Sequence, residues 1–321
     1  MPEPLRYDHG IYAVDSGYIR PRLNAIHFIV ERGRVVVVDT ANNAALPRVL
    51  DALRILGLSP TGVDYVFLTH VHLDHAGGAG AMMQAFPEAR LVVHPRGARH
   101  MADPTQLFAA VQAVYGADEA HRLYGEPLPV PADRILAAGD GYSFDLAGRT
   151  LVCLETPGHA RHHLCLHDPR GDCLFTGDIF GLSFRELDVD GRPSVIPTTT
   201  PTQFEPAAMH ASVERILARR PEALYLTHFS QVIDIARLGD DLHRLIDAHV
   251  AVAERERDAG PARGARILDG LWALMAAEAA RQGWRLDAEQ WREVLRMDVE
   301  LNAQGLDYWL DQPSPSARAD R

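Results

Sequence analysis

Residues 63–78 read VDYVFLTHVHLDHAGG. The first part, VDYVFLT, is a short apolar run of β-branched and aromatic residues, so it is expected to form a buried strand. The second part places His70, His72, Asp74 and His75 within six positions, and two glycines follow. His70 and His72 are two apart, so on an extended segment their side chains share a side and can reach one ion. Asp74 and His75 fall where the chain must bend toward a glycine-led helix, and they can aim at a neighbouring point. Loops at the ends of buried strands are held by a rigid sheet, which is where sites are built.

The pattern recurs along the chain. CLETPG ends in His159, CLFTG in Asp178 and LYLT in His228. Four strands that each deliver a histidine or aspartate just past the carboxyl end are hard to explain as structure alone. Imidazole and carboxylate without thiolate suit zinc in a hydrolytic role, and also manganese or iron. The seven candidates are His70, His72, Asp74, His75, His159, Asp178 and His228. They are too many for one tetrahedral ion and the right number for two that share a carboxylate. A ligating histidine normally passes its other N–H to a carboxylate or carbonyl, and Asp39, at the end of the buried strand RVVVVDT, is placed to accept it. His163 is a further candidate for lining the site, whereas His162 reads as surface. Thr199 and Phe204 sit in the long aperiodic loop after Asp178, where they are expected to shape a substrate pocket. Tyr115 and Tyr124 could cap that pocket, but core or surface is the plainer reading.

Outside these motifs the chain alternates strand and helix patterns as far as residue 230. NNAALPRVLDALRILGL has helical periodicity with Gly57 as a C-cap, and residues 105–124 read as helical. After residue 231 only helical periodicity remains. There Asp287 and Gln290 suggest a capping box, and Gly305 suggests a C-cap. The expected organisation is a catalytic domain over 1–230, a helical appendage over 231–310 and a disordered tail over 311–321. The appendage's apolar faces, with Trp272, Trp291 and Trp309, must be covered by the sandwich or by a second copy, and a homodimer is expected.

Composition narrows the function. The chain of 321 residues has a formal net charge of −11. An acidic surface argues against nucleic acid, because phosphate contacts need a basic face. No lysine occurs: all 32 basic residues are arginine. That excludes a Schiff-base lysine and a phosphate-loop lysine. The three cysteines are scattered, the N-terminal residues show no signal peptide, and no apolar run is long enough to span a bilayer. A cytoplasmic protein acting on a small molecule, without a membrane partner, is the expectation.

THVHLDHAGG resembles the HxHxDH signature of the metallo-β-lactamase superfamily. TPGH at 156–159, TGD at 176–178 and TH at 227–228 resemble its later motifs, in order, and VVVVDT resembles its early strand. The resemblance implies an α/β fold, the four-layer αβ/βα sandwich with the site on one edge, here followed by a C-terminal helical appendage. It implies that His70, His72 and His159 hold one metal, that Asp74, His75 and His228 hold a second, and that Asp178 bridges them. Two zinc ions are expected, with iron or manganese also suited. The implied reaction is hydrolysis by a metal-bridging hydroxide of an ester, lactone, thioester or related bond, with Asp74 orienting the nucleophile. His72 departs from the glutamate of flavodiiron members, and Gly181 from the tyrosine of quorum-sensing lactonases. The lack of lysine departs from glyoxalase II, which uses basic residues to hold glutathione. Two alternatives stand beside the hydrolase: a mononuclear iron dioxygenase of the persulfide type, and a metal-binding or interaction protein without turnover.

Overall fold

The computed structural model describes residues 3–312, so the expected tail lies almost wholly outside the described residues. Among the described residues, thirteen strands form two sheets. The first sheet runs in chain order: β1 (Leu5–Arg6), β2 (Ile11–Asp15), β3 (Ala25–Glu31), β4 (Arg34–Val38), β5 (Val63–Phe67), β6 (Arg90–Val93) and β7 (Ile135–Ala137). It is antiparallel up to β4 and parallel from β4 to β7. The second sheet contains β8 (Ser143–Leu146), β9 (Arg149–Glu155), β10 (Leu164–Asp168), β11 (Cys173–Gly177), β12 (Ala223–Leu226) and β13 (Ser230–Val232). Only β11 and β12 are parallel there.

The apolar runs of the parallel strands are sorted by the two-residue period of a strand. In β4, Val35 and Val37 pack outward on helices while Val36 and Val38 pack inward. β5 does the same with Val66 outward and Phe67 inward, and β6 with Leu91 and Val93 outward and Val92 inward. The inward set meets Leu151, Leu164, Phe175 and Tyr225 of the second sheet, forming the core between the sheets. Both faces of each sheet are therefore covered, which is why these strands read as continuous rather than alternating apolar runs.

The helical layers follow. Beside the first sheet lie α1 (Leu46–Ile55), α2 (Leu73–Ala76), α3 (Ala79–Ala85), α4 (Pro95–Ala102), α5 (Thr105–Tyr115) and α6 (Ala117–Tyr124). The helical stretch expected at 105–124 is thus two helices, broken at Gly116, whose φ is +83°. Gly57, at φ +69°, follows α1 as expected of a C-cap glycine. On the second sheet lie α7 (Pro206–Leu217), α8 (Ile235–Arg255), α9 (Arg263–Gln282) and α10 (Ala288–Leu310). The capping box at Asp287 and Gln290 is present at the start of α10.

The C-terminal helices share the sandwich's core. Leu174, Leu224 and Leu226 of the second sheet join one cluster with Leu238, Leu245, Leu271 and Leu295. Along α10, Trp291, Leu295, Val299, Leu306 and Leu310 recur at helical spacing and are all buried. Each such side chain contributes about 1.5–3 kcal/mol on burial. The apolar faces pack within one chain, with Trp272 and Trp309 partly buried against the same cluster. Gly305 is not a C-cap. It lies inside α10, where a Cβ would stand 1.6 Å from the Thr199 carbonyl oxygen. Glycine is required because helix and loop backbones touch there. Gly305→Ala, normally favourable in a helix, should instead destabilise by about 2 kcal/mol through overpacking, read as a lowered thermal midpoint.

α8 also carries a pH dependence. His249 is buried, and its Nδ1–H donates to the Leu245 carbonyl at 2.8 Å. Burial pushes its pKa down to about 4. The unfolded chain protonates near 6.5, so stability is lost as pH falls below 6.5 and the loss ends near 4. This group accounts for about 3 kcal/mol across that window. Urea unfolding between pH 7 and 4.5 should show a shallower loss in His249→Gln than in the parent.

Candidate metal centre

Five strand ends converge on one edge of the sandwich. β4 delivers Asp39, β5 delivers Thr69 and His70, and the chain then turns into α2 with Asp74 and His75. β9, β11 and β12 deliver His159, Asp178 and His228. The sheets are tied together there: Leu164 N–H donates to the Thr69 carbonyl and Ala25 N–H to the Thr227 carbonyl. Gly78, from the opening stretch, lets the start of α3 press on the β4–α1 loop, since a Cβ would lie 2.7 Å from the Thr40 carbonyl oxygen.

All seven predicted ligands come together, in three overlapping groups of metal-ligand type. His70 Nε2, His72 Nδ1 and His159 Nε2 lie 2.9–3.3 Å from one another. Beside them, His75 Nε2 is 3.3 Å from Asp74 Oδ2 and 3.2 Å from Asp178 Oδ1. His228 Nε2 is 3.2 Å from Asp74 Oδ2 and 3.6 Å from Asp178 Oδ1. Asp178 Oδ2 faces the other way, 3.6 Å from His159 Nε2. One carboxylate therefore stands between the two clusters.

The groups behind the imidazoles decide which nitrogens are bare. His70 Nδ1–H donates to Thr69 Oγ1, whose hydroxyl in turn donates to Asp39. His159 Nδ1–H donates to Thr198 Oγ1 at 2.6 Å, His75 Nδ1–H to Asp39 Oδ2 at 2.8 Å, and His228 Nδ1–H to the Leu23 carbonyl at 2.8 Å. Each of these rings thus turns an unprotonated Nε2 toward the centre. Lone pairs facing lone pairs and carboxylates, out of water, call for a cation. His75 Nε2 and Asp178 Oδ1 are buried without a hydrogen-bond partner, as fits atoms meant for an ion. Despite burial, Asp178, Asp74 and Asp39 hold His75 well above the ordinary imidazole range. In the all-imidazole cluster burial dominates, and His72 is pushed down to about 3.

Asp39 is a linchpin behind the site rather than a ligand. Fully buried, it accepts from the Thr69 N–H and hydroxyl, the Thr227 hydroxyl and His75, and so ties β4, β5 and β12 together. Its φ is +57°, a left-handed conformation that aspartate tolerates better than most residues. The two threonines were recoverable from sequence, because LTH occurs at both 68–70 and 226–228.

The remaining candidates divide. His163 is buried beneath the site, bonded to the Thr156 hydroxyl, with its Nε2 3.3 Å from the Asp178 amide; it positions the chain at Asp178 and does not line the cavity. Thr199 and Phe204 are not pocket residues either. The Thr199 hydroxyl donates to the Asn302 carbonyl and Phe204 packs on Trp309, so both pin the loop to α10. Their loop neighbours Thr198 and Thr200 line the cavity instead. His162 is not on the surface: it is buried and lines the cavity.

That cavity, of about 310 Å³, opens over His72, Asp74, His159, Asp178 and His228. Tyr18, Tyr115 and Tyr124 form an aromatic wall, and Met297, Asp298 and Leu301 of α10 form a side. Sequence reading missed Asp298 and Tyr18. Burial pushes Asp298 up to about 7, while His228 and Arg20 pull it the other way.

Comparisons with known proteins agree with this geometry. The chain is 26% identical over 226 residues to a metallo-beta-lactamase fold-containing protein of Sulfurisphaera tokodaii, covering 68% of this chain and 78% of that one. It is 28% identical over 176 residues to a hydroxyacylglutathione hydrolase of Stenotrophomonas maltophilia, covering 54% of this chain and 56% of the relative. The chain thus spans only about half the length of that relative. In fold it is similar to a metallo-beta-lactamase family protein of Thermus thermophilus, with a TM-score of 0.66 at 21% identity, covering 94% of this chain and 93% of that chain. The model of the metallo-beta-lactamase superfamily matches residues 19–228, a span that holds all seven clustered side chains, and the chain belongs to that superfamily.

Proposed function

We propose that this protein is a hydrolase that holds two zinc ions and cleaves an ester, lactone, thioester or related bond of a small molecule. The observation that carries this reading is Asp178, whose two carboxylate oxygens face the two clusters separately. In this reading His70, His72 and His159 would hold one ion, Asp74, His75 and His228 the other, and Asp178 would serve both. Such a metal pair, when bound, makes water nucleophilic at neutral pH and polarises the substrate.

The chain's own contribution is orientation and exclusion of water. Thr69, Thr198, Asp39 and the Leu23 carbonyl fix the rings, so little reorganisation is needed on binding. Although burial opposes it, His75 and His228 hold Asp74 well below the usual carboxylate range. Asp74 is therefore an anion at neutral pH. Its side chain is about a fifth exposed and lines the cavity, which places its carboxylate to accept a proton from a nucleophile held there.

The cavity has the dimensions of a small-molecule site, which supports a small substrate. Cys153, Cys165 and Cys173 are buried and unpaired, which supports a reducing compartment, and the cytoplasm is the one proposed. No helix among the described residues is long and apolar enough to cross a membrane. A glutathione thioester is disfavoured, because no arginine or lysine lines the cavity among the described residues.

The test is metal analysis of protein purified without added metal, followed by a screen of ester, lactone, thioester and phosphodiester substrates on zinc-loaded protein. Two zinc ions per chain and turnover of a carbonyl substrate are expected. One iron and no zinc would replace the hydrolase with a mononuclear dioxygenase. Full metal loading without turnover across the screen would favour a non-catalytic binding protein.

A further inference from the structure

The cavity has one acidic group that the metal centre does not use. Asp298 lies on the cavity wall, on α10, more than sixty residues beyond the last metal-type motif. Its residue is half-buried, but its Oδ2 is sealed from solvent and has no hydrogen-bond partner. A carboxylate oxygen left alone in this way is unfavourable unless something binds it. Arg20 is within electrostatic reach but forms no ion pair with Asp298: its Nη1 is on Glu186 at 2.5 Å, its guanidinium lies 4.7 Å over the Phe184 ring, and its Nη2 is itself buried without a hydrogen-bond partner. Arg20 does not line the cavity.

The surroundings of Asp298 define what would bind there. Its charge acts on Tyr115. Tyr115 packs edge-on to Tyr124 at 5.9 Å, and Tyr124 stacks on Tyr18 at 5.9 Å. A carboxylate in a cavity that tyrosines also line, with no lysine or arginine lining it among the described residues, attracts a cation. The chain's net charge of −11 adds a field of the same sign.

We propose that Asp298 is the residue by which this cavity selects its substrate, holding an ammonium group of the bound molecule. The hydrolase reading then points to an amino-bearing ester or thioester, and the choice of bond rests on that reading. The C-terminal helices would so be the specificity element of the fold, with the sandwich supplying the chemistry.

The test separates binding from turnover. Zinc-loaded full-length protein is titrated calorimetrically at pH 8 with 4-phenylbutylammonium and with 4-phenylbutanol, which share a skeleton and differ in head-group charge. The parent should bind the ammonium probe about tenfold or more tighter, as expected for a bond to a charged group. That ratio should fall to near one in both Asp298→Asn and Asp298→Ala, with thermal melts confirming that each is folded. Equal binding of the two probes by the parent overturns the proposal without any variant, and so does a preference that survives in a folded variant. Hydrolysis is then compared for an ω-aminoacyl and an alkanoyl phenyl thioester, where the parent should favour the amino substrate through KM. If neither thioester nor any other substrate is cleaved while the probe ratio holds, the hydrolase reading fails and the role of Asp298 stands.

Discussion

Asp178→Ala should leave a folded protein that loses metal from both clusters at once. Replacing either half of the site alone would spare the other cluster, but Asp178 presents Oδ1 to His75 and His228 and Oδ2 to His159. Outer-shell partners of metal ligands are typically worth about 10–100-fold in affinity or activity, so loss of a shared ligand should exceed about a hundredfold in each. The fold should survive, because Asp178 ends a strand and lies at the cavity rather than inside a core cluster. The measurement is metal content after dialysis, together with hydrolysis of the best substrate from the screen. Retention of both metals by Asp178→Ala would refute the bridging role.

The largest effect on stability should come from a place far from the metals. Arg149, at the start of β9, and Asp168, at the end of β10, are both almost fully buried and form a bidentate ion pair. Arg149 Nη1 also donates to the His9 carbonyl at 2.7 Å, which ties β1–β2 to the second sheet. Removing one partner leaves a buried charge without compensation. Arg149→Ala should therefore cost about 3–5 kcal/mol. Replacing both partners with apolar residues of similar size, Arg149→Met with Asp168→Leu, should recover much of that loss, since a buried pair contributes little beyond neutralising its own desolvation. Urea unfolding of the single and double variants decides it; a double variant no more stable than the single would count against this account. No effect on metal content is expected from the folded fraction of either.

Much of the site was legible because its motifs are local. HxHxDH, TPGH, TGD and LTH each place a metal-type side chain directly after an apolar strand, and strand ends in a packed sheet have nowhere to go but its edge. Asp39 could be anticipated for the same reason. Thr199 and Phe204 were misplaced because their roles depend on which way an aperiodic loop faces, whereas His163 stands behind the ligands, against the Asp178 amide. Thr199 turns to Asn302, about a hundred residues later, and the cavity is left to Thr198 and Thr200. Gly305 looked like a helix stop because glycine in a helical pattern commonly is one. Only the contact with the Thr199 backbone gives its actual reason.

What the sequence by itself determined was the set of metal-type side chains, the strands that carry them and the two-faced burial of those strands. Each depends on neighbours within a few residues, or on the two-residue period of a strand, and both leave a trace in the order of amino acids. What only the tertiary structure decided was which carboxylate stands between the two histidine clusters, and that α10 walls the cavity with Asp298. Those pairings join residues far apart in the chain, Asp178 with His75 and Asp298 with the wall that Tyr18 begins. Burial of Trp291, Leu295 and Val299 sets α10 against α8 and α9, and its register then places Asp298 on the cavity wall, a result that no periodicity in α10 alone contains.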